Sequence, residues 1–330
     1  MKAAAIQSYK QPLVIVDLPK PSPGPGDLLV KVRAASVNPV DFKIRDGAVK
    51  TLLSYSFPLI LGNDLAGEVE AVGEGVTLFR PGDAVYARMD KHRIGTFAEY
   101  ALVSEGATAA KPKNLDWAEA ASLPLVGLTA WQVLIDLGGV KAGQKVLIHA
   151  GAGGVGTFAI QLAKHLGATV TTTASARNHD LVRSLGADVI VDYKTTRFED
   201  VVRDQDMVFD TQGGDTLLRS FTCVKPSGVV VTVGGVPDAK FARAWGLSLP
   251  LQWALGFMTR KVTRLARQRP ARFEYWFMKP SGEQLAAIAK LVEKGVIKAV
   301  VDKRYPLDAA PEALAYVESG GAAGKVVVEP

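Results

Sequence analysis

Apolar and polar positions along this chain follow two rhythms. Up to about residue 123 they alternate with a period of two, interrupted by turn residues. Leu28-Leu-Val-Lys-Val-Arg33 alternates as a half-buried strand does, after the turn-forming Pro21-Ser-Pro-Gly-Pro-Gly26. Gly67-Glu-Val-Glu-Ala-Val72 predicts a strand ended by Gly73-Glu-Gly75. Arg80-Pro-Gly-Asp-Ala-Val-Tyr86 predicts a turn into a strand, and Thr96-Phe-Ala-Glu-Tyr-Ala-Leu-Val103 another. This half reads as an antiparallel, turn-rich β domain. From about residue 124 strands and helices alternate, with strands near 145–149, 168–173, 188–191, 206–210, 228–233 and 272–278. Helices fall near 126–137, 154–166, 177–185, 197–203 and 214–223. That alternation implies a parallel sheet with helices on both faces. Gly282 to Lys294 is then an amphipathic helix, and Lys298 to Tyr305 and Gly324 to Val328 are strands returning to the first domain. The expected division is 1–123 with 280–330, and 124–279 as an insertion between them.

One segment, 241–272, fits neither rhythm. Leu247-Ser-Leu-Pro-Leu-Gln-Trp-Ala-Leu-Gly-Phe-Met258 is apolar but too short to span a bilayer. Arg260, Lys261, Arg264, Arg267, Arg269 and Arg272 follow it. The expectation is an irregular helical lid or insertion over a substrate pocket, with a solvated basic face. A membrane-surface helix or an RNA-binding face remain the alternatives.

At 330 residues the chain exceeds the usual ceiling for one core, which agrees with two domains. The net charge of +6 does not by itself call for nucleic acid, and none is expected as a partner. The single cysteine, Cys223, rules out an internal disulfide and a zinc site built on several thiolates. It suits a reducing, cytoplasmic compartment. No apolar run suggests a signal peptide or an integral membrane segment. His92, His149, His165 and His179 show no metal-ligand spacing, and His149, on a buried strand, reads as a satisfied core histidine.

The chemistry is concentrated where the strand near 145–149 ends. In His149-Ala-Gly-Ala-Gly-Gly-Val-Gly156, residues Gly151, Gly153 and Gly156 have the G-x-G-x-x-G spacing between a strand and a helix. The first glycine permits a tight turn, the second lets backbone approach a pyrophosphate, and the third lets helix and strand pack closely. The helix start then offers unpaired N–H groups and a positive dipole end to phosphates. The expected pyrophosphate contacts are Gly151, Gly153, Gly154, Val155 and Gly156. A site for NADH carries an acid about 20 residues further on, against the ribose 2′-hydroxyl. Here the next strand ends in Ala174-Ser-Ala-Arg-Asn178. Ser175 can donate to a 2′-phosphate and Arg177 can pair with it, so the cofactor reads as NADPH. Thr232 to Gly234, at the carboxyl end of a parallel strand, are expected beside the nicotinamide, with Val233 and Gly234 as contacts.

Three further segments extend the pattern over nearly the whole chain outside 241–272. They are Asn38-Pro-Val-Asp-Phe-Lys-Ile-Arg-Asp-Gly47, Leu61-Gly-Asn-Asp-Leu-Ala-Gly-Glu-Val69 and Leu123-Pro-Leu-Val-Gly-Leu-Thr-Ala-Trp131. Together with the glycine turn and Gly324-Lys-Val-Val-Val328, the chain resembles the zinc-independent medium-chain dehydrogenase/reductase superfamily. Within it, the chain is similar to NADPH:quinone oxidoreductases of the zeta-crystallin type and to enone oxidoreductases. The resemblance implies a GroES-like antiparallel catalytic domain beside a Rossmann NADPH domain, and a homodimer. It places Thr129 beside the nicotinamide, Tyr193 beside the 2′-phosphate and Lys325 near the cofactor. Asn38 stands where zinc-dependent members carry a catalytic cysteine, so no metal is expected. Asn38 is expected to hydrogen-bond the carboxamide or the acceptor oxygen, and Asp41 to fix its loop. Lys43 is expected to stabilise a developing enolate or quinol anion. Zeta-crystallin-type members often have tyrosine at the Lys43 position, a departure that bears on the acceptor. The implied reaction is hydride transfer to a quinone or an α,β-unsaturated carbonyl. Reduction of enoyl thioesters, with Tyr55 as acid, is the alternative enzyme reading. An NADPH-binding sensor using the basic segment is the non-enzymatic one.

Overall fold

The computed structural model describes residues 1–330. Two compact units emerge, Met1–Leu128 with Lys279–Pro330, and Thr129–Met278. The first opens with strands β1 (Lys2–Ile6), β2 (Val14–Asp17) and β3 (Asp27–Val37), then helix α1 (Pro39–Arg45). Strands β4 (Leu59–Ile60), β5 (Asp64–Val72), β6 (Ala84–Arg88), β7 (Tyr100–Ser104) and β8 (Thr108–Ala110) follow, with helices α2 (Trp117–Ala121) and α3 (Pro124–Trp131). The second unit alternates β9 (Lys145–Ile148), α4 (Gly154–His165), β10 (Thr169–Thr173), α5 (His179–Ser184), β11 (Val189–Val191), α6 (Phe198–Val201), β12 (Gln205–Asp210), α7 (Gly214–Ser220) and β13 (Val224–Thr232). Helices α8 (Ala239–Ala244), α9 (Leu249–Met258) and α10 (Arg260–Gln268) then lead to β14 (Arg272–Tyr275). The chain returns to the first unit through α11 (Gly282–Glu293), β15 (Val301–Pro306), α12 (Ala310–Glu318) and β16 (Lys325–Glu329).

The first unit is built on a sheet in the order β15-β16-β3-β5-β6-β8, with β7 also paired to β3. Its pairs are antiparallel apart from β15 with β16. Apolar residues of β3, β5 and β6 alternate inward to a core of Leu28, Val30, Val32, Leu65, Val69 and Val85. The returning C-terminal piece is tied in twice. Strand β16 sits between β15 and β3, and the buried Tyr86 hydroxyl donates to the Leu285 carbonyl of α11 at 2.6 Å. Helix α2 begins with a reciprocal cap: the Glu119 N–H donates to the Asp116 carboxylate at 2.8 Å, and the Asp116 N–H to Glu119 at 3.0 Å.

The second unit is a six-stranded parallel sheet in the order β11-β10-β9-β12-β13-β14. Counted from β9 this is 3-2-1-4-5-6, the doubly wound order whose switch point lies between β9 and β12. Strand β9 contributes Val146, Leu147 and Ile148, all fully buried, as a strand covered on both faces requires.

Three segments depart from the pattern read in the sequence. Residues 126–137 do not form one uniform helix. After α3 the chain widens into a π turn over Gln132–Leu137, closed by the Gly138 N–H donating five residues back to Val133 at 2.8 Å. Residues 96–103 are not one strand. Only Tyr100–Ser104 joins the large sheet, while Phe97 and Ala98 turn to β1, where the Ala4 N–H donates to the Phe97 carbonyl at 2.8 Å. The segment 241–272 is regular rather than irregular, forming α8, α9 and α10.

Candidate functional site

The glycine turn owes its shape to contacts that leave no room for side chains. Ala150 takes a left-handed φ of 53°, which reverses the chain as it leaves β9. The turn is fastened to β10 by the Gly151 N–H, which donates to the Thr173 carbonyl at 2.9 Å, and by the Ala150 N–H, which donates to the Thr173 hydroxyl at 3.0 Å. A Cβ on Gly151 would lie 2.1 Å from the Thr172 hydroxyl oxygen, and one on Gly156 only 2.3 Å from the Ala150 carbonyl oxygen. Gly153 is different. A Cβ there would meet the Ala150 carbonyl oxygen at 3.3 Å, a milder clash than at Gly151 or Gly156, and Gly153 serves as the N-cap of α4. The Thr157 N–H returns to the Gly153 carbonyl at 2.9 Å. The preceding N–H groups of Gly154, Val155 and Gly156 belong to the first turn and have no carbonyl within the helix. Partly exposed Gly153, Gly154 and Val155 thus front a helix start suited to a pyrophosphate.

Sheet register explains how the proposed 2′-phosphate contacts come together. Thr173 of β10 faces Val191 of β11. Ser175 and Tyr193 each follow two residues later, so both sit at the carboxyl edge of neighbouring strands. Ser175 is buried and starts a short 3-10 turn, Ala176–Asn178, without using its hydroxyl as a cap. Arg177 and Tyr193 are exposed, and so is Lys194, a further cation at this edge that the sequence pattern did not single out. No Asp or Glu lies between Thr169 and His179.

The expected nicotinamide contacts Val233 and Gly234 are shaped by Asp210, a residue sequence reasoning missed. Its carboxylate accepts from the Thr232 hydroxyl at 2.7 Å and from the N–H groups of Gln212 and Gly213 at 3.0 and 2.9 Å. The Gly234 N–H donates to the same hydroxyl at 3.1 Å. The loops after β12 and β13 are pressed together, and a Cβ on Gly234 would come within 3.0 Å of the Gly213 nitrogen. Burial raises the Asp210 carboxyl above its ordinary range, against its hydrogen bonds. Thr129 is buried on α3. His149 is a core residue: its Nε2 is 2.9 Å from the Ser220 hydroxyl and its ring meets Phe198 edge-on at 4.6 Å. Burial pushes its pKa down to about 4, with help from Arg219.

In the first unit, Asn38 lies at the centre of a buried polar cluster. Four strands assemble it by register: Ser36 of β3 faces Asp64 of β5, Asp64 faces Arg88 of β6, and Val37 faces Val326 of β16, which brings Lys325 beside Asn38. The Lys325 ammonium donates to the Asn38 Oδ1 at 2.5 Å and to the Val37 carbonyl at 3.0 Å, and lies 3.9 Å from Asp64. The Asn38 Nδ2 donates to the Ser36 carbonyl at 3.2 Å. Asp41 accepts from the Asn38 backbone N–H at 2.7 Å and from the Asn63 amide at 2.6 Å. Asp64 accepts from the Ser36 hydroxyl at 2.7 Å on one oxygen, while its Oδ1 and the Arg88 Nε have no partner. Burial pushes Asp41 up to about 7, although the Asn38 N–H and Asn63 oppose it. Burial likewise raises Asp64, with Lys325 opposing, and lowers Lys325, with Asp64 opposing. Lys325 was expected beside the cofactor. Its ammonium is engaged by Asn38 and Val37. Lys43 is exposed on α1. The Tyr55 hydroxyl donates to the Lys91 carbonyl at 2.6 Å, and burial raises its pKa, which makes it a poor source of a proton.

The fold and these sites define an oxidoreductase of the medium-chain dehydrogenase/reductase type. Residues 24–113 match the alcohol dehydrogenase GroES-like domain family, and residues 185–328 match a family described as zinc-binding dehydrogenase. The chain is 36% identical to the mitochondrial NAD(P)H oxidoreductase RTN4IP1 of Danio rerio over 324 residues, which cover 92% of this chain and 84% of the relative. It is also 36% identical to the chloroplast envelope quinone oxidoreductase homolog of Arabidopsis thaliana, covering 96% and 93%. Among solved structures, the quinone oxidoreductase of Coxiella burnetii superposes with a TM-score of 0.88 at 35% identity, covering 100% of this chain and 99% of that one. The mycobacterial Rv1454c, solved with NADPH, gives 0.84 at 30% identity, covering 100% of both. The chain belongs to the medium-chain dehydrogenase/reductase superfamily, among its quinone and NAD(P)H oxidoreductases. The zinc in one family's description does not fit the residues present. No three His, Cys, Asp or Glu side chains gather to hold a metal, and Cys223 is buried in the core of the second unit against Phe221.

Proposed function

We propose that the protein is an NADPH-dependent reductase of quinones or α,β-unsaturated carbonyls that uses no zinc. The observation that carries the cofactor choice is the end of β10, where Ser175 replaces the acid an NADH site needs and the Thr173–Val191 register sets Tyr193 alongside. The NADPH complex of the mycobacterial neighbour supports it. The acceptor class is supported by the names of relatives, which include quinone oxidoreductases and a tomato 2-methylene-furan-3-one reductase, 36% identical over 313 residues.

NADPH, when bound, supplies the hydride, and the acceptor takes up a proton to become the hydroquinone or the saturated carbonyl. The chain's residues hold and orient. The N–H groups of Gly154, Val155 and Gly156 take the pyrophosphate, with Gly151 and Gly153 shaping the approach. Ser175, Arg177 and Tyr193 take the 2′-phosphate. Thr129, Val233 and Gly234 border the nicotinamide. Asn38 is the oriented donor. Its Oδ1 is fixed by the Lys325 ammonium, which settles the amide's orientation, and one Nδ2 hydrogen goes to Ser36. The amide also donates toward Asp64, and it would turn from that carboxylate to an acceptor oxygen or the carboxamide. Lys43 offers a positive charge to the oxyanion that develops on reduction. The protein is taken to act in a reducing compartment, and as a homodimer through the outer edge of β14, the terminal strand of its sheet. Titration of NADPH and NADH against the purified chain tests the cofactor assignment. Tighter NADPH binding is expected, and equal affinities would remove it.

A further inference from the structure

Between Asp238 and Glu274 the chain carries eight Lys and Arg and no Asp or Glu, more positive charge than the net +6 of the whole protein. The charge is laid out on α10. That helix seats Val262, Leu265 and Ala266 on the core of the second unit and leaves Arg260, Lys261, Arg264 and Arg267 exposed. Arg260, Arg264 and Arg267 recur at helical spacing on one face. With Lys240, Thr259 and Thr263 they line an open cleft of about 550 Å³. The one carboxylate lining it, Asp238, is engaged as the N-cap of α8, accepting from the Phe241 N–H at 2.7 Å.

Helix α9, directly before, is apolar and half-covered. Gly256 lets it pack on α8, where a Cβ would stand 3.2 Å from the Ala239 Cβ. On its uncovered side Leu249, Trp253, Phe257 and Met258 are exposed by 69%, 81%, 65% and 62%. Leu249, Trp253 and Phe257 are four residues apart and form one stripe. It adjoins the cationic face, since the Arg260 guanidinium lies 3.8 Å from the Phe257 ring centre.

We propose that α9 and α10 form a docking surface for an anionic lipid membrane. The apolar stripe enters the boundary between headgroups and acyl chains, and the Arg260–Arg264–Arg267 face with its cleft receives lipid phosphates. A ten-residue helix is too short to cross a bilayer, and no helix of the chain is long and apolar enough to do so. The surface therefore lies in the interface plane. An exposed side with Leu249 and Met258 beside its aromatics is more apolar than the stacking platforms that hold RNA, which favours lipid over nucleic acid. The proposal stands apart from the acceptor assignment.

The test is flotation of the full chain with vesicles of phosphatidylcholine alone or with phosphatidylserine added, at physiological salt. Binding to the anionic vesicles only is expected. Arg264→Ala with Arg267→Ala should lower partitioning about 25-fold, each cation being worth about fivefold near such a surface. Trp253→Ser with Phe257→Ser should abolish flotation while leaving the melting temperature and NADPH binding unchanged. Absence of flotation on anionic vesicles overturns the proposal, as does flotation indifferent to the Trp253 and Phe257 changes. Poly(U) binding that needs Arg264 and Arg267 but not Trp253, without flotation, would assign the surface to RNA. Loss of a dimer in the Trp253→Ser variant, without flotation in the wild type, would assign it to a second copy.

Discussion

Replacing Lys325 with methionine is the sharpest probe of the first unit. The side chain is buried, and its ammonium makes two hydrogen bonds, to Asn38 at 2.5 Å and Val37 at 3.0 Å, while facing Asp64 at 3.9 Å. Methionine fills most of the volume and removes the charge. What remains is a buried carboxylate that keeps Arg88 and Ser36 but has lost its lysine, and one of its oxygens lacks a hydrogen-bond partner. Breaking a buried pair from one side costs about 3–5 kcal/mol. That is a large fraction of the roughly 5–15 kcal/mol by which a folded protein exceeds its unfolded state. The second replacement, Asp64→Asn, removes the stranded charge. The double variant should therefore recover about 1–3 kcal/mol relative to the sum of the single changes. Hydrogen exchange of amides in β3 and β16 reads the loss locally, and urea titration reads it in the unit as a whole. Freed of the ammonium, the Asn38 amide can rotate, so kcat should fall more than the NADPH dissociation constant rises. A Lys325→Met protein that unfolds within about 1 kcal/mol of wild type would refute the reasoning. So would one that loses NADPH affinity and nothing else, which would return Lys325 to direct cofactor contact.

Alanine at Gly151 or Gly156 should weaken NADPH binding by about 1–3 kcal/mol through overpacking, while Gly153→Ala, with 3.3 Å of clearance, should cost less; fluorescence titration of NADPH ranks them. Ser175→Asp should lower kcat/KM for NADPH about 10- to 100-fold and raise the relative use of NADH; an unchanged ratio would remove Ser175 from the 2′-phosphate site. Burial holds His149 neutral down to about pH 4, whereas the unfolded chain protonates it from about 6.5. The unfolded state thus binds more protons across that window, and stability falls as pH drops through it, by up to about 3 kcal/mol. A His149→Gln variant should flatten this acid slope in urea titrations at pH 4.5 and 7, and an unaltered slope would count against the assignment.

The glycine turn was legible in the sequence because its causes are local. A strand, three spaced glycines and a helix start specify it within a dozen residues, and the clashes at Gly151 and Gly156 repeat that logic in space. The missing acid after β10 was legible for the same reason. The Asn38 cluster was only partly so. Ser36, Asn38 and Asp41 are close in sequence, but Asp64, Arg88 and Lys325 meet them only through the register of β3, β5, β6 and β16, and pairing between strands distant in sequence leaves no periodic mark. Asp210 escaped notice because a lone aspartate at a strand end looks like a solvated turn residue. Its function as a brace appears once Thr232 and Gly213 are seen to donate to it. The 241–272 segment showed its composition but not its geometry. Pro250 sits in the first turn of α9, where its missing N–H is harmless, and Gly256 serves close packing on α8.

The central claim is that this chain moves a hydride from NADPH to an electrophilic acceptor without a metal. Following the absorbance of the reduced nicotinamide in the presence of a chelator, with a benzoquinone, a naphthoquinone, a medium-chain enone and an enoyl thioester offered in turn and NADH in parallel, tests it most directly. Chelator-resistant turnover of a quinone or the enone, with NADPH preferred, is expected. Turnover confined to the enoyl thioester, loss of activity on chelation restored by zinc, or NADPH binding with no turnover of any acceptor would contradict it.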